Sequence, residues 1–275
     1  MQVIENVYSM KKYINAQKQK GKTIGFVPTM GCLHEGHVSM IGRSHKENDI
    51  TIISCFVNIA HFPDAENYKK YPRDFEHDYK VGENAGADVM FFPENSAILG
   101  ANSKVFLDLV GGLSGNKTRG LATAAIKFLN ILRPDKIYYS ILDIKELSIT
   151  EQIIQDLHLD AQVVPCEIAR EPSGLAIDVE NEKLTPTARD EAVLVHMALE
   201  YAAIEVSQGE QNAMHLKRII TNYMQDAPLA KIKNISILSL ETFKEAVQLK
   251  GQNIIIATVS FGDATLRDNI IVTVK

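Results

Sequence analysis

The stretch Thr23 to Met40, TIGFVPTMGCLHEGHVSM, decides how the rest of the chain is read. Ile24, Phe26 and Val27 follow Gly21-Lys22 and predict a β-strand, which Pro28 and Gly31 break into a loop. A helix is expected next, from about Leu33 to Lys46, with His34 and His37 on or near its first turn. Strand, glycine-containing loop and helix N-terminus together suit a phosphate. The first N–H groups of a helix have no intrahelical partner, and its dipole favours anions. His34 and His37 are three residues apart and so share one helix face. Gly36 between them lets a ligand approach the backbone. Two surface histidines after a turn is the competing reading. The spacing is not that of the zinc-protease helix, whose histidines are four apart.

Working outward, residues 6–20 predict an amphipathic helix, with Val7, Met10, Tyr13 and Ile14 at helical spacing. Asp49 to Val57 is a continuous apolar run rich in β-branched residues, as in a buried parallel strand. Asn58 to Pro63 is the loop at its end. A helix over 74–85 and a short strand over 88–92 follow. Residues 94–118 read as loop with one strand at Val105 to Val110. Then come a helix over 121–132, a strand over 136–142, a helix over 144–157 and a strand over 161–168. This alternation predicts a doubly wound α/β sheet of Rossmann-like type, whose ligands sit beyond the carboxyl ends of the strands. The turn Glu171-Pro172-Ser173-Gly174 suggests a boundary, giving domains 1–171 and 172–275. Beyond it, helices over 186–205 and 211–225 and strands at 234–238, 252–259 and 264–273 predict a small α+β domain with an antiparallel sheet, acting as a lid.

The chain has 275 residues, 45% of them hydrophobic and 23% charged, enough apolar material for a sizeable core. A net charge of -5 and a pI near 5.9, with no basic stripe, argue against nucleic acid as a partner. Three scattered cysteines, Cys32, Cys55 and Cys166, do not make a disulfide framework and point to a reducing, cytoplasmic setting. Cys32 reads as a space filler, with a helix-activated thiol as the alternative. The N-terminus lacks a signal peptide's apolar core, and no apolar run is long enough to span a membrane.

The H-x-G-H pattern of His34 to His37 is that of nucleotidyl-transfer enzymes. With Val27-Pro28-Thr29-Met30-Gly31, Phe56-Val57-Asn58, Tyr71-Pro72-Arg73, Asn130-Ile131, Pro134-Asp135, Arg170-Glu171, Gly174-Leu175-Ala176 and Leu266-Arg267-Asp268-Asn269-Ile270, the chain resembles the pantoate–β-alanine ligase (pantothenate synthetase) family. The likeness runs in order through almost the whole chain. It implies a Rossmann-type N-terminal domain of the HxGH nucleotidyltransferase type with a smaller C-terminal lid, in homodimers. It also implies ATP with Mg²⁺, and pantoate and β-alanine as small-molecule substrates. Pantoate's carboxylate would attack the α-phosphate to give a pantoyl adenylate, which the β-alanine amine then opens. By resemblance His34 and His37 contact the ATP phosphates, best as charged donors. Pro28, Thr29, Met30, Gly31 and Gly36 line the nucleotide site, and Asp143 lies at its adenosine end. Asn58 and His61 belong to the pantoate pocket. Two of these have local readings as well: Asp143 as the N-cap of the helix from Ile144, Asn58 as a residue holding its own loop.

The resemblance is interrupted in its second half. Ser140-Ile141-Leu142-Asp143-Ile144-Lys145-Glu146 stands where the family has Gly-Gln-Lys-Asp-Ala-Gln-Gln, so Leu142 replaces a phosphate-binding Lys and Glu146 a pantoate-binding Gln. His61 replaces the other pantoate Gln. Ile177-Asp178-Val179-Glu180-Asn181 replaces Met-Ser-Ser-Arg-Asn, and Ser114 to Thr118 replaces an Arg-Pro-Gly-His-Phe loop. Three functions fit this mixture: a ligase of the family, impaired in rate; a non-catalytic relative that binds a small molecule or partner; and a nucleotidyltransferase with another acceptor.

Overall fold

The computed structural model describes residues 1–62, 64–100 and 103–274. Pro63, the last residue of the expected 58–63 loop, lies outside them. The chain divides into two compact units, Met1–Glu167 and Ile168–Lys275. The division falls just upstream of the expected 171/172.

The first unit holds a six-stranded sheet, all parallel, in the order β1-β4-β3-β2-β5-β6. The strands are β1 (Gln2–Ile4), β2 (Ile24–Thr29), β3 (Ile50–Cys55), β4 (Val89–Phe91), β5 (Lys136–Ser140) and β6 (Gln162–Cys166). The helices are α1 (Val7–Gln19), α2 (Glu35–Glu47), α3 (Ala65–Lys70), α4 (Phe75–Asn84), α5 (Asn95–Leu99), α6 (Asn116–Leu132) and α7 (Ile144–Asp156). Strand order runs outward from β2 in both directions, so the switch point lies between β2 and β5. Ligands of such sheets bind beyond the carboxyl ends there.

Every residue of β3 is buried, as its apolar run predicts for a strand covered on both faces. Burying each Ile or Val of this sheet stabilises the unit by about 1.5–3 kcal/mol. β2 continues through Pro28 to Thr29 instead of stopping at Val27. Pro28 cannot donate to a ladder, and none is needed on its β5 side. That pairing covers only Gly25 and Phe26, while Pro28 and Thr29 lie opposite Ser54 and Cys55 of β3.

The expected strand at Val105 to Val110 is absent; these residues are irregular. Val105 and Val110 are largely exposed, and Leu107 and Leu109 only partly buried, so no strand face is covered there. The segment is strapped to α6 instead. The Leu107 N–H donates to Thr123 Oγ1 at 3.0 Å, and the Arg119 guanidinium lies 4.6 Å from the Phe106 ring centre. α6 itself starts at Asn116, upstream of the expected 121.

The second unit is α+β, as the pattern predicts. α8 (Pro186–Ser207) and α9 (Ala213–Tyr223) pack on the antiparallel sheet β7-β8-β9, made by Ala230–Ser239, Gly251–Phe261 and Ala264–Val274. Its core includes Leu199, Leu216, Ile237, Ile255 and Phe261. No helix among the described residues is long and apolar enough to cross a membrane.

Candidate active site

The loop between β2 and α2 is set by two successive left-handed residues, Gly31 (φ 82°) and Cys32 (φ 51°). Their turn aims the N–H groups of Cys32 and Leu33 at one carboxylate, that of Asp78 on α4, at 3.1 and 2.7 Å. Asp78 is buried, and burial pushes its carboxyl above the ordinary range despite these two bonds. A Cβ on Gly31 would lie 2.6 Å from the same carboxylate, so both its handedness and its bareness are needed. Thr29 Oγ1 donates to the Ser54 carbonyl at 2.6 Å and accepts from Gly31 N–H at 3.1 Å. Thr29 and Gly31 thus hold the loop's shape. Two N–H groups of the loop that could cradle a phosphate already hold Asp78, which corrects the reading of loop and helix N-terminus as one cradle.

The helix N-terminus is closed in a similar way. His34 is the N-cap of α2, and its Nδ1 accepts from Gly36 N–H at 3.2 Å. His37, three residues on, accepts through Nδ1 from the His34 backbone N–H at 3.3 Å. This is a reciprocal capping box, made by two histidines where a Ser or Thr and a Glu or Gln usually stand. Acceptance at both Nδ1 atoms places each ring's proton on Nε2, so both rings are donors through Nε2–H. The ring centres are 4.1 Å apart. Burial, with His34 beside it, pushes His37 down to about 3. With burial holding it uncharged at neutral pH in the ligand-free chain, His37 can still donate, because the backbone fixes its tautomer.

The other expected residues sit on the loops that flank this one. Asn58 is buried and caps the single helical turn Ile59–His61, its Oδ1 accepting from Ala60 N–H at 2.9 Å. His61 ends that turn, and its Nδ1 lies 3.5 Å from Oε1 of Glu146 on α7. Asp143 occupies the N-cap position of α7 without a side-chain capping bond. Leu142 lies in the tight turn after β5, its N–H donating to Ser140 Oγ at 3.1 Å. Met30 and Gly31 also line a cavity of about 700 Å³ over the ends of β1, β3 and β4, walled by Val57, Asp78, Phe75 and Phe92. His34 and His37 are not among its lining residues. In the second unit, the Asp178 carboxylate caps Glu180 N–H at 2.9 Å. Glu180 pairs with Lys183 and accepts from Thr265 N–H at 3.0 Å.

The sequence profile of the pantoate-beta-alanine ligase family matches residues 2–271. The chain belongs to the pantoate–β-alanine ligase family. It is 36% identical over 281 positions to the pantothenate synthetase of Caldicellulosiruptor saccharolyticus, with both chains fully covered. A crystal structure of the pantothenate synthetase from Thermus thermophilus superposes with a TM-score of 0.88 at 26% identity, covering 98% of this chain and 99% of that one. The pantoate-beta-alanine ligase of Francisella tularensis, complexed with beta-gamma ATP and beta-alanine, gives 0.77 at 25% identity, covering 98% and 97%.

Within this family member, two site features escaped the sequence reading. Asp78 carries no motif; only the fold shows that α4 delivers a carboxylate under the β2–α2 loop. The contact of His61 with Glu146 joins two positions far apart in the chain. Its signal was present in the pair of replacements, uncharged amides by resemblance and here a base and an acid.

Proposed function

We propose that the chain joins pantoate to β-alanine with ATP, through a pantoyl adenylate. One observation carries this reading. The reciprocal caps of His34 and His37 fix two Nε2–H donors at the carboxyl end of β2, beside the sheet's switch point. Attack of the pantoate carboxylate on the α-phosphorus builds negative charge on the phosphate oxygens as pyrophosphate leaves. Donors already locked by the backbone meet that charge without reorganising, and one such donor is worth about 2.7–4 kcal/mol. Mg²⁺ enters with the nucleotide. Among the described residues no three His, Cys, Asp or Glu side chains gather into a metal site, so the ATP oxygens and water would supply most of its ligands. A homodimer is part of the same reading.

The replaced positions bear on rate. Leu142 and Glu180 bring no cation where the family resemblance puts Lys and Arg, and Val179 brings no hydroxyl where it puts Ser. The new carboxylates, however, have partners: Glu146 has His61, Glu180 has Lys183, and Asp178 holds a cap. Only Glu180 has a cationic partner, so the expected deficit comes from lost donors and, at Glu146 and Asp178, from carboxylates that keep their charge. A binding-only relative is the second reading, favoured by those lost donors. Incubation with ATP, Mg²⁺, pantoate and β-alanine tests all of this. AMP and pantothenate in equal amounts support the ligase. AMP without pantothenate indicates another acceptor, and Mg-ATP binding by calorimetry without turnover indicates the binding-only relative.

A further inference from the structure

We infer that His61, oriented by Glu146, is the general base that takes the amine proton in the amide-forming step. This rests on the ligase reading above. The two residues reach each other from either side of β2: His61 follows β3, Glu146 follows β5, and β2 lies between those strands. Their contact at 3.5 Å therefore bridges the carboxyl end of β2, the strand that leads into the His34–His37 cap. Both side chains are largely sheltered, 23% and 19% exposed, which strengthens a pairing that open solvent would screen.

The turn that carries His61 is firmly held. His61 N–H donates to the Asn58 carbonyl at 3.0 Å, buried Asn58 caps the turn, and α6 presses on it where Gly120 meets Ala60. Glu146 stands on the first turn of α7, anchored by buried Ile144 and Leu147. A base needs such a fixed frame.

The imidazoles divide the chemistry. In His34 and His37 the backbone claims Nδ1, so Nε2 carries the proton and donates. In His61 a carboxylate faces Nδ1, so Nδ1 carries the proton and Nε2 is the basic nitrogen. β-Alanine arrives as an ammonium and loses one proton to solvent. Its nitrogen lone pair then attacks the acyl carbon; the C–N bond forms and the C–O bond to AMP breaks. AMP leaves with that electron pair, and the second nitrogen proton passes to His61 Nε2. Glu146 stabilises the imidazolium until it returns the proton to solvent.

The ionisable groups on the elements packed around the turn are Asp143, Lys145 and Glu146 from the start of α7 and Lys117, Arg119 and Lys127 from α6. Arg119 is turned to Asp108, and Lys127 donates to the Ile98 carbonyl.

The test uses the whole protein in two half-reactions. ATP–pyrophosphate exchange with pantoate alone reads adenylate formation. Single-turnover amide formation, started by adding β-alanine to preformed adenylate, reads the second step. In the unmodified protein the amide rate should rise with pH to a plateau in the imidazole range. In His61→Gln and His61→Asn it should fall at least about 10²-fold further than exchange at saturating substrate, and lose the plateau. Glu146→Gln should keep the plateau but move its midpoint to lower pH. Equal losses in both half-reactions, or a plateau that survives in His61→Gln, would overturn the base assignment. Absence of exchange in the unmodified protein would instead overturn the ligase reading, and the base role with it.

Discussion

At the scale of single residues, His37 couples chemistry to stability. Its Nδ1 is needed as a cap acceptor, and protonation there removes that acceptor. The folded state holds His37 down to about 3, whereas an unfolded histidine titrates near its ordinary 6.5. Between those values the unfolded chain binds a proton that the folded chain does not. Stability from this group is thus complete above pH 6.5 and is lost as pH falls toward 3, with a slope of up to about 1.4 kcal/mol per pH unit. His37→Gln keeps an N3 cap acceptor and removes the titration. Urea midpoints followed from pH 7.5 to 4 should therefore fall less steeply in the variant, with little change at pH 7.5. Parallel pH curves for the two proteins would show that the cap does not set the His37 proton. Sequence spacing placed His34 and His37 on one turn, but their tautomers follow from N–H directions that no pattern displays.

At the scale of elements, what was legible depended on how much each segment buries. β3 was read from its continuous apolar run because it is covered on both faces, and α1, α4 and α7 were read from their periodicity. β1 has only three residues and too little pattern to register, although it pairs with β4 in full register. The apolar residues of Val105 to Val110 suggest a strand, but no sheet edge receives them. The packing of α6 on the 59–61 turn was equally invisible, since it depends on a missing side chain. Gly120 lies inside α6, where Gly→Ala ordinarily stabilises a helix by about 1 kcal/mol. Here the new Cβ would sit 2.5 Å from Ala60 Cβ, and overpacking of that kind costs about 1–3 kcal/mol. The clash should win. Gly120→Ala is expected to lower the melting temperature and to raise the KM for pantoate or β-alanine by shifting His61. A variant with higher melting temperature and unaltered kinetics would mean that the turn yields freely.

At the scale of the whole molecule, the alternation of strands and helices and the later switch to an antiparallel pattern were enough to separate two kinds of unit. What they hid was how the second unit secures its first residues. Arg170 and Asp268 form a two-pronged ion pair, at 2.7 and 2.9 Å, that ties the segment after Glu167 to β9. Arg170 also donates to the Gly174 carbonyl at 3.0 Å, and Glu171 pairs with Arg189 of α8. These bonds explain why 168–171 belong with the second unit although the turn signal begins only at Glu171. Burial alone would raise the Asp268 carboxyl, but the His196 imidazole 3.4 Å away and the hydrogen bonds from Arg170 outweigh it and hold it below the ordinary range. Its stabilisation is therefore present above the unfolded value near 3.9 and disappears only as pH falls below that, a window lower than that of His37. Asp268→Asn leaves Arg170 without its counter-charge, and breaking a buried pair from one side costs about 3–5 kcal/mol. Because each unit has a core of its own, the loss should concentrate in the second one. Hydrogen exchange at pH 7 should show protection falling across β7, β8 and β9 of Asp268→Asn by about two to four orders of magnitude, with β2 and β3 losing far less. Equal loss in both sheets would mean that the chain unfolds as one cooperative body, and that the two cores are not separate units of stability.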